Sequence, residues 1–556
     1  MKMKKGSSII LAAALLPTFA MAQSAFEAEQ LSQNDFKGSA RFMSMGGAFT
    51  ALGGDLSTLN QNPAGIGLYR STEIGVTLDI NMQRTSTNPF NPDLYPNSMK
   101  QTKVYCNNFG FVSSVKLDGV MRTLNFGVSY NRAASFDRIY TGSMANIGTS
   151  LTNYIADYST SAGYTPKDLG FDDLNKNYDP YWDSSADWLA ILAYNSYMIN
   201  PTGPKSWKGL YNYSNSFADA AFSVRETGHN DIYNLSVGGN VENTVYWGLS
   251  VGISDLRYTR SLYYAENVYD GDVVAPASAT STTNGDGYTE LNAFKNVRGT
   301  GFNLKLGVIF KPINELRIGL AVHTPTWYRL TEDYDGSVNY KYMPVSYTPS
   351  GDPIIDESKI NQGDSGSPVG DFRWRLNSPW KLMVGVAGVL GTQAIVSVDY
   401  QFDGYNSMKT YAPNNIGGYT AYDDVNNDIS NYFKGTHTFR IGAEYRVSPQ
   451  FSVRAGYNFS TSNVRDMLKN AIGPNNCYYE AITDTLDPSY TLNNTSQNIT
   501  CGLGYRYRAW YIDAAYVYNK RDSQFHAFTN YSDVLAPQSK ITDNNHSLVF
   551  STGFKF

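Results

Sequence analysis

Along much of this chain, apolar and polar residues alternate one by one. Leu124, Phe126, Val128 and Tyr130 interleave with Asn125, Gly127, Ser129 and Asn131; Leu316, Ile318, Leu320 and Val322 interleave with Arg317, Gly319, Ala321 and His323. Phe451 to Ser460 and Trp510 to Asn519 repeat the pattern. A period of two puts successive side chains on opposite faces of an extended strand. Fourteen strands are predicted, at about 72–84, 104–117, 121–133, 230–242, 243–263, 286–313, 315–333, 371–390, 393–407, 434–447, 450–462, 494–508, 510–523 and 543–556. In the last of them His546, Leu548, Phe550, Thr552, Phe554 and Phe556 share one face, and smaller or polar residues share the other.

The connections decide what these strands build. Asp118-Gly119, Glu242-Asn243, Pro312-Ile313-Asn314, Gly391-Thr392, Ser448-Pro449 and Arg508-Ala509 are hairpin-sized turns. The other seven connections run from about 19 to nearly 100 residues and are rich in Asn, Asp, Ser, Thr and Tyr. Short and long alternate throughout, as in an outer-membrane barrel with short periplasmic turns and long extracellular loops. A soluble sandwich has no reason to segregate its loops in this way. The expected fold is therefore all-β: a 14-stranded antiparallel transmembrane barrel. Asp79, Lys305, Arg317, Asp399, Arg440, Glu444, Arg454 and Asp513 lie on the polar faces. An Arg or Lys facing lipid at mid-membrane costs about 2–4 kcal/mol. These charges must then face the lumen, with Leu, Val, Phe and Tyr outward.

Composition agrees with this class. The chain has 43 Tyr and 48 Gly, 14% aromatic residues and a net charge of -5, which gives no case for nucleic acid. Mean hydropathy is -0.36, and alternation explains how a membrane wall can be so polar on average. Lys2, Lys4 and Lys5, the apolar Ile9–Leu16 and Ala20-Met21-Ala22 form an expected signal peptide over 1–22. Together with the aromatic carboxy-terminus at Phe556, it predicts a place in a Gram-negative outer membrane. Cys106, Cys477 and Cys501 are odd in number and lack metal spacing, so no disulfide is expected.

Residues 23–71 do not alternate. Gly46, Gly47, Gly53 and Gly54 allow sharp turns and close packing around the short apolar Ala48–Leu52, and Asn62-Pro63-Ala64 reads as a turn. This segment is expected to fold into the barrel as a plug, with those seven residues as its hinges or seats. The stretch MGGAFTALGGDLSTLNQNPAGIG resembles the amino-terminal hatch of FadL-type outer-membrane transporters of long-chain fatty acids and other hydrophobic compounds. Residues 301–328 and 378–390 resemble that family's strands. The resemblance implies a fourteen-stranded barrel closed by a small hatch.

The longest connection, 134–229, is expected to be a partly helical extracellular insertion. Asp183 to Ile199 reads as a rough helical stripe, with Trp188, Ile191 and Leu192 either lining a ligand groove or packing the insertion onto the rim. In strand two, Asn107-Asn108 interrupts the pattern before Phe109 and marks the expected lateral exit. His229, His323, His437, His526 and His546 stand singly and read as lumen or loop residues rather than metal ligands. Acidic loop patches at 270–272 and 423–428 read as solvated rather than calcium-binding. No cofactor, metal or enzymatic activity is expected, and a single copy is expected to function.

The resulting expectation is passive, plug-gated uptake of a hydrophobic, fatty-acid-like molecule. Burial of each methylene in an apolar pocket is worth about 0.8 kcal/mol, enough to bind a long chain without an energy source. Outer-membrane lipid is the other expected partner. A haem-compound receptor of the same architecture, a non-transport adaptor barrel for surface or secreted proteins, and a water-filled porin are the competing readings.

Overall fold

In the computed structural model, residues 24–88, 96–172, 177–274, 282–347, 349, 353–355, 361–414, 417–466, 486–529 and 537–556 are described. The predicted runs become β1 (Glu73–Asn88), β2 (Asn97–Lys116), β3 (Met121–Ser135, continued by Arg138–Ile147), β4 (Phe217–Val241), β5 (Val245–Val274) and β6 (Thr282–Ile313). They continue as β7 (Leu316–His323 and Trp327–Tyr347), β8 (Asn361–Gly366, Gly370–Asn377 and Lys381–Leu390), β9 (Ala394–Asp403 and Lys409–Pro413) and β10 (Thr436–Arg446). The last four are β11 (Phe451–Ser460), β12 (Tyr490–Tyr507), β13 (Trp510–His526) and β14 (Gln538–Lys555). Neighbours in sequence pair antiparallel, and β14 pairs with β1 from Lys555↔Glu73 to Lys540↔Asn88, closing the fourteen-stranded barrel. Thr72 and Phe556 exchange both main-chain hydrogen bonds at 2.9 Å, which seals the joint at the very end of the chain.

Register follows the alternation. Leu78, Phe126, Val128, Leu235, Leu306, Leu320, Val398, Ile441 and Phe550 are exposed on the outer face. Asp79, Lys305, Asp399, Glu444, Arg454 and Asp513 are buried on the inner face. Arg454 lies between Glu444 (2.7 Å) and Asp513 (2.6 Å), and Glu444 also holds Arg41 at 2.9 Å. Such inner charges persist only when paired or hydrogen-bonded. His437 and His546 depart from the expected lumen or loop placement. They are on the outward face, with Nδ1 at 2.8 Å from Tyr400 Oη and 2.7 Å from Tyr516 Oη, and belong to the aromatic girdle.

The breaks within β7 and β8 fall at Thr324-Pro325-Thr326, Ser367-Pro368-Val369 and Ser378-Pro379-Trp380. Each contains a proline, which has no amide to give to the ladder. Among the described residues no helix is long and apolar enough to cross a membrane, which says nothing about strands.

The wall rises further than the alternation suggested. β3 resumes at Arg138, and β4 begins at Phe217 rather than near residue 230, so both ends of 134–229 are wall. Between those strands lie α4 (Leu151–Ala162), α5 (Pro166–Leu169), α6 (Pro180–Asp183) and α7 (Trp188–Asn195), with Asp187 capping the last by accepting from Leu189 N at 2.8 Å. The stripe expected over 183–199 is thus helical only at Trp188–Asn195, after α6 has ended at Asp183. Trp188, Ile191 and Leu192 are 3%, 0% and 0% exposed and sit in the apolar core of this cap, against residues such as Tyr334 and Tyr340. They face no open groove, because all sides of a helix this apolar are covered. Residues 423–428 begin α8 (Asp423–Tyr432) rather than a loop. Cys106 and Cys501 are free thiols on strands, and Cys477 lies outside the described residues.

Candidate transport site: a floor, a chamber and a seam

The segment before β1 is folded inside the barrel. It holds α1 (Ala25–Ser32), α2 (Ala40–Ser44), α3 (Thr58–Gln61) and a 3₁₀ turn (Pro63–Leu68). Gly46, Gly47, Gly53 and Gly54 have φ of 62°, 74°, 60° and 67°, a region that residues with a Cβ seldom enter. Asn62 is buried; its Nδ2 donates to Thr50 O at 2.6 Å and its Oδ1 accepts from Ala64 N at 3.0 Å. One side chain thus ties the two halves of the segment and caps the turn that Pro63 begins.

Inward glycines make room for this floor. A Cβ on Gly307 would strike Asn62, one on Gly248 would strike Pro63, one on Gly319 Thr50, and one on Gly442 or Gly456 the backbone at Met45–Gly46. Leu56 lies against Gly110, and Ile66 against Gly127 and Gly238. Polar bonds add to the fit: Thr50 N donates to Asp399 Oδ2 at 2.7 Å, Ala40 N to Ser551 Oγ at 2.7 Å, and Asn125 Nδ2 to Ile66 O at 2.6 Å. The contacts reach strands all around the wall.

Above the floor is a chamber of about 320 Å³. Its base is Phe36, Lys37, Asn60 and Gln61, and Glu29 of α1 and Gln33 just beyond that helix overhang it. Its walls are chiefly Asn, Gln, Ser, Thr and charged residues. Lys305 Nζ donates to Asn60 Oδ1 at 2.5 Å and Asn234 Oδ1 at 2.6 Å, with no carboxylate within 4.0 Å among the described residues. Lys381 stands 3.6 Å from Asp403, Arg440 donates to Gln401 at 2.7 Å, and His323 Nε2 lies 2.8 Å from Gln61 O. The apolar pocket expected for an alkyl chain is not what this chamber offers. Apolar residues gather above it, where Phe26 and Leu31 of α1 pack with Tyr258, Leu330, Trp374 and Tyr432.

One side of the chamber reaches an interruption in the wall. β2 pairs with β1 along its length but with β3 only from Asn108↔Asn131 to Lys116↔Thr123. At this border the register slips, leaving Asn107 as a bulge between Thr77↔Asn108 and Leu78↔Cys106. Asn107 Nδ2 donates to Asp79 at 3.1 Å, and Asn108 Nδ2 to Asn131 Oδ1 at 2.6 Å. From residue 107 outward, side chains replace the ladder. Tyr105 Oη donates to Asp137 Oδ2 at 2.9 Å, Gln101 Nε2 to Asp137 O at 3.0 Å, and Lys103 Nζ stands 3.4 Å from Asp137 Oδ1. Tyr105 and Asp137 also line the chamber.

The sequence pattern pointed to Asn107 and Asn108 but not to Tyr105 or Asp137, which have no signature until β2 and β3 are seen to part. The inward glycines were legible, since each sits at a position that alternation assigns to the lumen.

Residues 206–476 match the sequence family described as "Outer membrane protein transport protein (OMPP1/FadL/TodX)". Over this stretch, just under half of its length, the chain is similar to the FadL/TodX family. It is thus an outer-membrane transport barrel. No curated protein sequence matches the chain. Among solved structures, a Pseudomonas aeruginosa FadL homologue is 12% identical, with 94% of this chain and 100% of that one covered and a TM-score of 0.46. The P. putida toluene transporter TodX is 12% identical (95% and 99% covered, TM-score 0.43). The Ralstonia pickettii toluene transporter TbuX is 14% identical (95% and 100% covered, TM-score 0.38).

Proposed function

We propose that this FadL/TodX-like barrel takes up amphiphiles, molecules with an apolar tail and a polar head such as fatty acids, and releases them sideways into the membrane. The observation that carries this reading is the seam between β2 and β3, where the wall loses its main-chain ladder beside the chamber. A wholly apolar cargo would gain nothing from a chamber of amides, hydroxyls and cations. An amphiphile can leave its head among Lys305, Lys381 and Arg440 while its tail enters the lipid beyond Tyr105 and Asp137. The floor closes the straight path and so directs the cargo to the wall. Residues 24–69 act as the hatch in this reading.

Locking the seam tests it. In a background with Cys106, Cys477 and Cys501 replaced by Ser, Lys103→Cys with Asp137→Cys is oxidised across the gap. Uptake of a radiolabelled long-chain fatty acid by cells should fall at least tenfold and return on reduction. Unchanged uptake by the locked protein would remove the lateral route.

A further inference from the structure

On the outer wall above the aromatic belt, five arginines from four adjacent strands converge. Phe302 of β6 and Trp327 of β7 are cross-strand partners whose rings lie 4.9 Å apart on the outward face, at the upper margin of the apolar band. The next outward position above Trp327 is Arg329, and Arg298 is two outward positions above Phe302. Arg257 of β5 stands directly opposite Arg298, and Arg329 directly opposite Arg375 of β8. Arg373 stands opposite Thr331, the partner of Arg298, and so completes the row. Inward neighbours of these residues, among them Tyr258, Val297, Leu330 and Trp374, are buried in the barrel, which fixes the arginines on its outside.

Two pairs of like charges facing each other across strands are destabilising unless something neutralises them. The local carboxylates do part of this: Asp333 holds Arg298 at 2.8 Å, Asp255 is 4.0 Å from Arg257, and Asp371 lies nearby on β8. Arg329 and Arg373 have no carboxylate within 4.0 Å among the described residues, and Arg375 is fixed over the ring of Tyr419 at 3.8 Å. Five cations against three carboxylates leave an excess of positive charge at head-group height. Guanidinium forks bind phosphate in two-pronged fashion, and aromatic residues set the depth of the surrounding lipid.

We propose that Arg257, Arg298, Arg329, Arg373 and Arg375 form a binding site for the phosphate-bearing head group of an outer-leaflet lipid. The bound lipid would neutralise the opposed arginine pairs and hold the β5–β8 wall against the membrane. The site is separate from the chamber and seam, and it does not depend on the cargo proposed above.

The test uses the full-length protein in detergent, titrated with lipid A, a bis-phosphorylated glycolipid, and read by native mass spectrometry. The triple variant R298A/R329A/R373A should bind at least tenfold more weakly. Because its substitutions lie on the exposed face, the variant should keep its heat-modifiable migration as a folded barrel. Removing the lipid phosphates should abolish binding to the wild type, and millimolar inorganic phosphate should not displace the intact lipid. A control variant, R84A/K520A/K540A on the β1–β13–β14 wall, should bind as the wild type does. The proposal is overturned by wild-type affinity in the triple variant, by equal binding of the dephosphorylated lipid, or by an equal loss in the control. Displacement by inorganic phosphate would also overturn it, since the site would then recognise the free anion rather than a lipid.

Discussion

At the scale of single residues, the most exacting demands come from polar groups that must be buried. Glu266, near the outer end of β5 in the cap, is fully enclosed. It accepts from Ser150 Oγ (2.6 Å), Leu151 N (3.0 Å) and Tyr264 Oη (2.5 Å), and so serves the first turn of α4. Burial pushes its pKa from 4.5 up to about 7, with the hydrogen bonds only partly opposing it. A carboxyl whose pKa is raised on folding favours the folded state fully below its unfolded value. That contribution is lost as pH rises through the folded value. The cap should therefore loosen between about pH 4.5 and 7. Amides in the first turn of α4 should exchange with deuterium more slowly at pH 5 than at pH 8, after correction for intrinsic rates. E266Q, which keeps an acceptor but cannot ionise, should flatten the difference. Equal pH sensitivity in wild type and variant would place the effect elsewhere. Glu266 lies beyond the strand expected at 243–263, and nothing in the sequence shows that α4 lands on it. That requires a contact between residues 115 apart along the chain.

At the scale of elements, strands were legible where lipid lies on one side and lumen on the other, because those environments impose the period of two. The pattern fades above the membrane, where both faces of a strand can be covered by protein. This is why β4 was read from about residue 230 although it starts at Phe217. The cap helices were harder still: α7 is buried on every side, so Trp188 and Leu192 carry no sign of which way they face. The hatch was legible by contrast with the strands, through its missing alternation and its glycines. Its fit to the wall yields a prediction. In Gly307→Val, the new side chain occupies the space of the Asn62 amide, which already binds Thr50 O. The floor should be displaced while the outward face of β6 is untouched. The variant should assemble as a heat-modifiable barrel, and its conductance in planar bilayers should rise at least tenfold above that of the wild type. A wild-type conductance with a folded barrel would mean that the floor tolerates the intrusion and is looser than its contacts suggest.

At the scale of the whole molecule, two ways through the membrane compete. Either the hatch moves and cargo passes downward, or the hatch stays and cargo leaves through the wall. The energetics of the two differ. Moving the floor breaks contacts with many strands together, including the bonds of Thr50 to Asp399, Ala40 to Ser551 and Asn125 to Ile66. Each such bond is worth about 0.5–1.5 kcal/mol net, and unpaired buried partners cost more. Opening the seam breaks no main-chain ladder, since β2 and β3 share none beyond Asn108, and chiefly requires Asp137 to release Tyr105, Gln101 and Lys103. Cargo can supply a shift only as large as its difference in affinity for the two states, so the smaller rearrangement is favoured. Stapling the floor separates the alternatives. Ala40→Cys and Ser551→Cys, in the same cysteine-free background, join α2 to β14 where Ala40 N now meets Ser551 Oγ. Fatty-acid uptake by the oxidised protein should stay within about twofold of the reduced form, whereas the seam-locked variant should lose it. Should the staple stop uptake while the seam lock does not, the hatch is the gate and the wall is merely thin at β2.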